Sequence, residues 1–315
     1  MDEIHHYYEI VSSQADQQRQ TAQGTTLGLF AYIIWGVVPI YWPKLQPAGP
    51  VEILAHRIIW SLVFVAVVIV VTNKWQHTLA VIRDRRLLGL LCIAAVLISI
   101  NWGVFIWASI SGQILDSSLG YYITPLVSVA LGVLVFNERL RTMQWFALVI
   151  AACAVLYLVT AHGKIPIVAF ILSISFGIYG YVKKLAGVDA IESLAIETAV
   201  LTPFALGYLG FLTLQGTNTF TSEGTSHALW LISSGIVTAV PLLLFGAAAI
   251  RIPLSTLGIL QYVGPTMQFI VGLWIFHEPM PKERLFGFAL TWLALVILTI
   301  DSLRHSARQS SKVVS

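Results

Sequence analysis

Arg57 and Glu197 each stand within a long apolar run, 140 positions apart. A charge at the centre of a membrane helix costs about 2.5–3.5 kcal/mol on insertion scales, so it marks a cavity or a partner. Arg57 is suited to attract an anionic or polar solute or to form a switching ion pair; snorkelling outward is the alternative. Glu197 is the carboxylate best suited to carry a proton, since burial favours the neutral acid; a structural pair is its rival. Asn101 and Trp102, with Trp107 nearby, offer an amide handle and an aromatic wall, as a small amphiphilic ligand requires. Tyr121, Tyr122, Gln261, Tyr262 and Gln268 read in the same way. Each could also be helix-to-helix glue or an interfacial belt residue. The substrate-binding set expected is Arg57, Asn101, Trp102, Tyr122, Glu197, Gln261 and Tyr262.

The 140-residue offset recurs. Tyr122, Pro125, Gly132, Phe136 and Glu138 share the spacing Y-x2-P-x6-G-x3-F-x-E with Tyr262, Pro265, Gly272, Phe276 and Glu278. Glu52-Ile-Leu-Ala answers Glu192-Ser-Leu-Ala, and Trp35-Gly36 answers Phe176-Gly177. Ser118-Leu-Gly answers Thr256-Leu-Gly, and Phe146 answers Phe286. Pro125 and Pro265 each remove a backbone donor and free a carbonyl. Breaks at matching places in two halves point to a carrier's binding site. Glu52 and Glu192 fall in first helical turns, where the positive helix end favours a carboxylate. Glu138 and Glu278 end their runs, where it does not. They call for cationic partners, Arg139 or Arg141 in one half and Lys282 or Arg284 in the other, and read as structural locks.

The elements that must hold these groups follow from composition. The chain has 315 residues, 57% hydrophobic and 10% charged. Soluble proteins are about 45–50% apolar and about 25% charged, so lipid must be much of this chain's solvent. A membrane helix needs roughly 20 apolar residues. Ten runs qualify, near 25–42, 51–72, 87–109, 117–136, 143–161, 165–182, 191–213, 227–248, 254–276 and 285–302. They do not alternate as barrel strands would. The predicted fold class is an all-α membrane protein of ten transmembrane helices, in two repeats of five over 25–162 and 163–302. Five is odd, so the second repeat enters from the opposite face and the repeats are inverted. The fifth and tenth helices, nearly free of internal polar residues, read as scaffold or as contacts for a homodimer.

Lys and Arg decide orientation. With the N-terminus cytoplasmic, thirteen fall inside and four outside, with Arg57 left within a helix. Both termini are therefore expected in the cytoplasm. Residues 1–24 read as a polar disordered tail and not a signal peptide; residues 303–315 form a short basic tail. No phosphate-binding loop, dinucleotide fingerprint, metal cluster or hydrolase elbow occurs. No basic patch with interleaved aromatics suggests nucleic acid. No cofactor and no metal are expected. Cys92 and Cys153 read as small buried hydrophobes.

With those residues in view, the chain resembles the EamA family of the drug/metabolite transporter superfamily over about 25–302. The resemblance is carried by Glu52 to Ser61 (E-I-L-A-H-R-I-I-W-S), Asn101-Trp102, Phe105-Ile-Trp107-Ala, Ser118-Leu-Gly-Tyr121 and Met143-Gln-Trp145. It continues in Ser255-Thr-Leu-Gly258 and Gln261-Tyr-Val-Gly-Pro-Thr266. It implies a multi-pass carrier of the bacterial inner membrane that exports a small-molecule substrate. Alternating access, coupled to a proton or a counter-transported solute, is the expected mechanism. The alternative is an integral-membrane enzyme or sensor without net transport, in which His56 and an intramembrane carboxylate do acid–base work.

Overall fold

The computed structural model describes residues 2–110, 114–162, 167–275, 285–287, 289–290, 292–294, 296–297 and 300–301. Among these, every regular element is helical. The order is α1 (Asp2–Val37), α2 (Pro50–Val71), α3 (Trp75–Arg83), α4 (Arg85–Ile110), α5 (Ile114–Phe136) and α6 (Thr142–His162). It continues with α7 (Ile167–Ala186), α8 (Ala190–Leu214), α9 (Thr219–Ser222), α10 (Gly224–Ala249), α11 (Leu254–Leu260) and α12 (Val263–Trp274). Two 3-10 turns, Val38–Ile40 and Trp42–Leu45, follow α1.

Six helical segments are long and apolar enough to cross a membrane: Asp16–Ile40, Pro50–Val71, Arg85–Phe105, Ile167–Ala186, Ala190–Leu214 and Gly224–Ala249. Shorter apolar helices cover Gly120–Phe136, Thr142–Tyr157 and Leu285–Ala294. Only 28–56% of each spanning window is buried inside the protein. The remaining faces carry Val63, Val67, Val70, Phe204, Leu206 and Leu214 outward. In water so much exposed apolar surface would aggregate, whereas in hydrocarbon it is matched.

Local chemistry sets the boundaries. Pro50 opens α2 at its first position, where a missing N–H costs nothing. Gly187, at φ +60°, ends α7 in the left-handed conformation that favours glycine. Two expectations need correction. The tail over 1–24 was to be disordered, but α1 runs through it from Asp2; residues 2–23 hold no Gly or Pro, and their Gln, Ala and Glu favour helix. The segment between the second and third runs holds the short helix α3. The ninth run is split at Gln261–Tyr262 into α11 and α12. Pro265 therefore lies in the first turn of α12 and not in a helix interior, while Pro125 stays inside α5.

Around the centre, α5 packs on α7, α11 and α6, α4 on α7 and α8, α2 on α8 and α10, and α1 on α10 and α12. The main core joins Ala31, Ile58, Val65, Ala94, Tyr179, Leu194, Phe245 and Leu257 across seven of these helices. Glycine lets two of them touch. A Cβ at Gly235 in α10 would stand 2.4 Å from the Trp60 backbone of α2. The Ser61 hydroxyl donates to the Gly235 carbonyl at that crossing, 3.1 Å away.

Candidate functional site

A cavity of about 130 Å³ opens at the centre of the bundle. It is lined from α1 by Tyr32 and Trp35, from the 3-10 turns by Trp42, from α2 by Arg57, and from α4 by Asn101, Trp102 and Phe105. Tyr121 and Thr124 of α5, Phe176 of α7, Thr238 of α10, and Gln261, Gly264 and Pro265 at the α11–α12 break complete it. The broken helix thus meets the cavity, where non-helical backbone inside a membrane protein is tolerated.

Arg57 is the charged residue among the described lining groups, and it is only 8% exposed. Its guanidinium carbon lies 4.8 Å from the Trp42 ring centroid and 4.7 Å from that of Trp102. Its Nε donates to the Thr238 hydroxyl at 2.8 Å. The indoles stabilise the charge without accepting its N–H groups. Behind them, Trp35 packs on Tyr32 at 5.6 Å, Phe176 at 5.7 Å and Phe245 at 5.8 Å, forming an aromatic wall. Phe105 and Tyr121 pair at 5.7 Å on another side.

Two amides line the cavity. Asn101 Nδ2 donates to the Leu172 carbonyl at 2.9 Å and the Ser175 hydroxyl at 3.0 Å, fastening α4 to α7. Gln261 Oε1 accepts from the Ser128 hydroxyl at 3.3 Å, joining the helix break to α5. Both therefore serve as glue between helices while facing the cavity.

The structure brings together four of the seven residues expected from sequence: Arg57, Asn101, Trp102 and Gln261. Tyr122 and Tyr262 are not among the lining residues. Both pack in a second apolar cluster with Ala147, Ala151 and Val155 of α6. One residue along a helix turns the side chain by about 100°. The residues just before them, Tyr121 and Gln261, take the cavity face instead. Glu197 is also outside the cavity. Its Oε1 meets Lys183 Nζ and the Ser193 hydroxyl, each at 2.7 Å, and its Oε2 accepts from the Tyr179 hydroxyl at 3.0 Å. Lys183, counted from sequence as a cytoplasmic loop charge, is buried at 3% exposure to make this pair.

The other expected groups are tied down as well. His56 stacks on Phe220 at 4.8 Å and is absent from the lining. Trp107 faces outward, 52% exposed. Glu52 accepts from the Thr219 backbone N–H at 2.7 Å, so it holds α9 as well as its own helix start. Glu192 pairs with Lys74 at 3.3 Å, and Asp189 with the same lysine at 2.9 Å. The Lys74 bond holds the Asp189 carboxyl below its ordinary pKa, against a smaller opposing effect of burial.

Glu138 does not find Arg139 or Arg141. Arg141 pairs with Asp301 at 2.6 Å. Glu138 instead caps the start of α11, accepting from the backbone N–H of Leu254 at 2.7 Å and of Ser255 at 2.9 Å, and from the Ser255 hydroxyl at 2.6 Å. Lys184 stands 3.8 Å away and donates to the Ile252 carbonyl. A helix start is the strong place for a carboxylate, which explains the departure. Gly132 makes room, because a Cβ there would come 2.6 Å from the Glu138 carboxylate. Phe276 and Glu278, the matching end of the other half, lie outside the described residues, as does the side chain of Gln268.

Sequence reasoning passed over Tyr32, Trp42, Thr124 and Thr238. A threonine in an apolar run carries no signal of its own. The repeat did carry one for Trp35 and Phe176, which stand at matching positions and both line the cavity.

Comparison with known proteins agrees with this architecture. Residues 22–160 match the EamA-like transporter family. Protein RarD of Streptomyces exfoliatus is 48% identical over 300 residues, 95% of each chain. Protein RarD of Escherichia coli K12 is 40% identical, over 93% of this chain and 99% of that one. An uncharacterized transporter of Bacillus subtilis 168, YojE, is 41% identical over 94% of this chain and 99% of its own length. One solved crystal structure, at 14% identity, superposes with a TM-score of 0.68 over 90% of this chain and 98% of that one, which speaks to fold alone. With an all-helical bundle, a central cavity and relatives this similar over nearly their whole lengths, the chain belongs to the EamA-like transporter family and is a multi-pass membrane transporter.

Proposed function

We propose that the protein is a secondary exporter of small molecules in the bacterial inner membrane, working by alternating access between inverted repeats at 25–162 and 163–302. The observation that carries the proposal is the mirrored lining of the cavity. Trp35 and Phe176, Tyr121 and Gln261, and Thr124 and Gly264 are pairs offset by 140 or 141 residues, and all six line it. A site shared by equivalent positions of two repeats opens to opposite faces when the repeats exchange shapes.

Packing supports the same reading. The contact of α5 on α7 has its counterpart in α12 on α1, and that of α4 on α7 in α10 on α1. A Cβ at Gly36 of α1 would strike Met267 of α12; one at Gly177 of α7 would strike Val127 of α5. Gly36 and Gly177 are 141 apart, and Met267 and Val127 are 140 apart. Under this reading the ten spans follow from the apolar runs and the cytoplasmic termini from the distribution of Lys and Arg. Substrate contacts fall to Arg57, Asn101, Trp102 and Gln261, with Tyr121 and Thr238 added. Glu197, Tyr122 and Tyr262 hold the frame. The Glu138 cap holds the start of α11 as a structural lock, and coupling to a proton or counter-solute drives the exchange.

Everted membrane vesicles test the proposal. Labelled organic acids, amines and neutral solutes are offered in turn, with and without an uncoupler. Saturable accumulation that collapses with the uncoupler and with Arg57→Gln is expected. A solute that is chemically altered and not accumulated would favour the enzyme alternative.

A further inference from the structure

We propose that the transported solute is a small organic monoanion: one carboxylate, docked on Arg57, carried on a flat apolar body about the size of a single aromatic ring. The proposal rests on the central cavity being the transport site.

The argument begins with charge. Moving an ion from water into a protein interior costs several kcal/mol even after relaxation. Arg57 is buried, always charged, and takes part in none of the ion pairs among the described residues. The other buried Lys or Arg among the described residues, Lys183, has its carboxylate at 2.7 Å. The difference between them is position, since Lys183 lies behind the wall and Arg57 faces the cavity. A cation–π contact contributes about 0.5–2 kcal/mol, and Arg57 has two. With one bond from Nε to a neutral hydroxyl, they offset the burial cost only in part. The remaining compensation is left to whatever occupies the cavity.

Geometry narrows the class. A guanidinium presents five N–H donors in a planar fork. Here Nε serves Thr238, and the Nη groups have no acceptor among the described residues. A planar carboxylate matches that free edge with two parallel bonds. Among the described lining residues there is no Asp or Glu, so an ammonium group finds no counter-charge from them. Among them there is no second Lys or Arg either, so a dianion such as a phosphate monoester would keep one charge uncompensated by them. The repeats themselves would place a carboxylate at Glu197, opposite Arg57, but that group is turned away into the Lys183 pair. The described lining is left with a single positive charge.

Size and walls set the body. At about 130 Å³ the cavity is close to the roughly 150 Å³ that accommodates benzene in an engineered protein core. Tyr32, Trp35, Phe105, Tyr121 and Phe176 supply aromatic surface to it. Such rings receive a flat apolar group by stacked or edge contacts.

Isothermal titration calorimetry on the purified full chain tests this with matched pairs: benzoate and benzamide, phenylacetate and phenylacetamide, butyrate and butyramide. Each pair differs in charge and hardly in shape. Charge-assisted bonds of about 1.5–3 kcal/mol predict a 10- to 150-fold preference for the carboxylate in at least one pair. Arg57→Gln should abolish that preference, and Arg57→Lys should retain part of it. The ratio within a pair is unaffected by a general loss of folded protein, so it separates recognition from structure. Equal binding of carboxylate and amide in all pairs, or tighter binding of inorganic phosphate than of any carboxylate, would overturn the proposal. Counterflow of the preferred carboxylate in proteoliposomes then separates the two readings. Selective binding without counterflow would sink the transport reading and leave the ligand class standing. Counterflow of the amide as fast as the carboxylate would sink the ligand class and leave transport standing.

Discussion

Glu197 separates two roles that a buried carboxylate can play. As a proton carrier it must be free to gain and lose charge. As half of a structural pair it must stay charged. The structure surrounds it with Lys183, Ser193 and Tyr179 at 2.7–3.0 Å, with both charged side chains at 3% exposure or less. Removing one partner of a buried pair costs about 3–5 kcal/mol, because the other charge is left uncompensated. Glu197→Gln keeps the shape and one acceptor but strands the Lys183 ammonium. Lys183→Met strands the carboxylate. The double variant removes both charges, and the glutamine amide can still bond Ser193 and Tyr179. Each single change is therefore expected to lower stability by about 3–5 kcal/mol, and the double to recover most of that. Thermal midpoints of the four proteins in one detergent at pH 7, read with the monodisperse fraction on size exclusion, close the cycle. A Glu197→Gln protein as stable as wild type, but with pH-driven flux lost, would refute the structural reading and restore the proton carrier.

Three further outcomes follow from the geometry. Glu138→Gln weakens three bonds to the start of α11, each charge-assisted and worth about 1.5–3 kcal/mol, and should lower the thermal midpoint and slow transport together; an unchanged midpoint would discount the cap. Gly235→Ala places a methyl against the Trp60 backbone, which has no room to yield, and should cost about 1–3 kcal/mol, seen as loss of monodisperse protein after solubilisation. Asp189→Asn should matter only above the acid range. The Asp189 carboxyl is held below its unfolded value of about 3.9 by Lys74, so its contribution is present above that pH and lost as pH falls through the folded value. Because the aspartate is 54% exposed, the effect is only about 0.2–1 kcal/mol, and the gap between variant and wild-type midpoints at pH 7 should close as pH falls through the folded value.

Much of this organisation was legible because lipid writes itself into composition. Helices are the only open-ended way to satisfy backbone groups in hydrocarbon, so apolar runs such as 51–72 and 227–248 fall on α2 and α10. Arg57 and Asn101 were legible for the same reason, since polar groups there need a purpose. What sequence could not resolve was rotation. Tyr121 and Tyr122, or Gln261 and Tyr262, differ by one position and hence by the face they present. The repeated tyrosine drew attention, and its unrepeated neighbour has the cavity. Partner choice was equally hidden. Glu138 lies one residue from Arg139 in sequence, but its bonds go to Leu254 and Ser255, 116 and 117 positions away. Glu197 looked like the mirror of Arg57, and only packing reveals that Lys183 has claimed it. The split of the ninth run also escaped notice, because Gln261–Tyr262 carries no glycine or proline at the break itself.

Access to the cavity from both faces of the membrane is the central claim, and it can be measured without knowing the solute. Thr124 lines the cavity and is 4% exposed. A Thr124→Cys protein, with Cys92 and Cys153 replaced by alanine, would be treated with a membrane-impermeant maleimide in right-side-out and in everted vesicles. Alternating access predicts labelling in both preparations. Labelling from one face only, however long the exposure, would contradict it and leave a one-sided pocket.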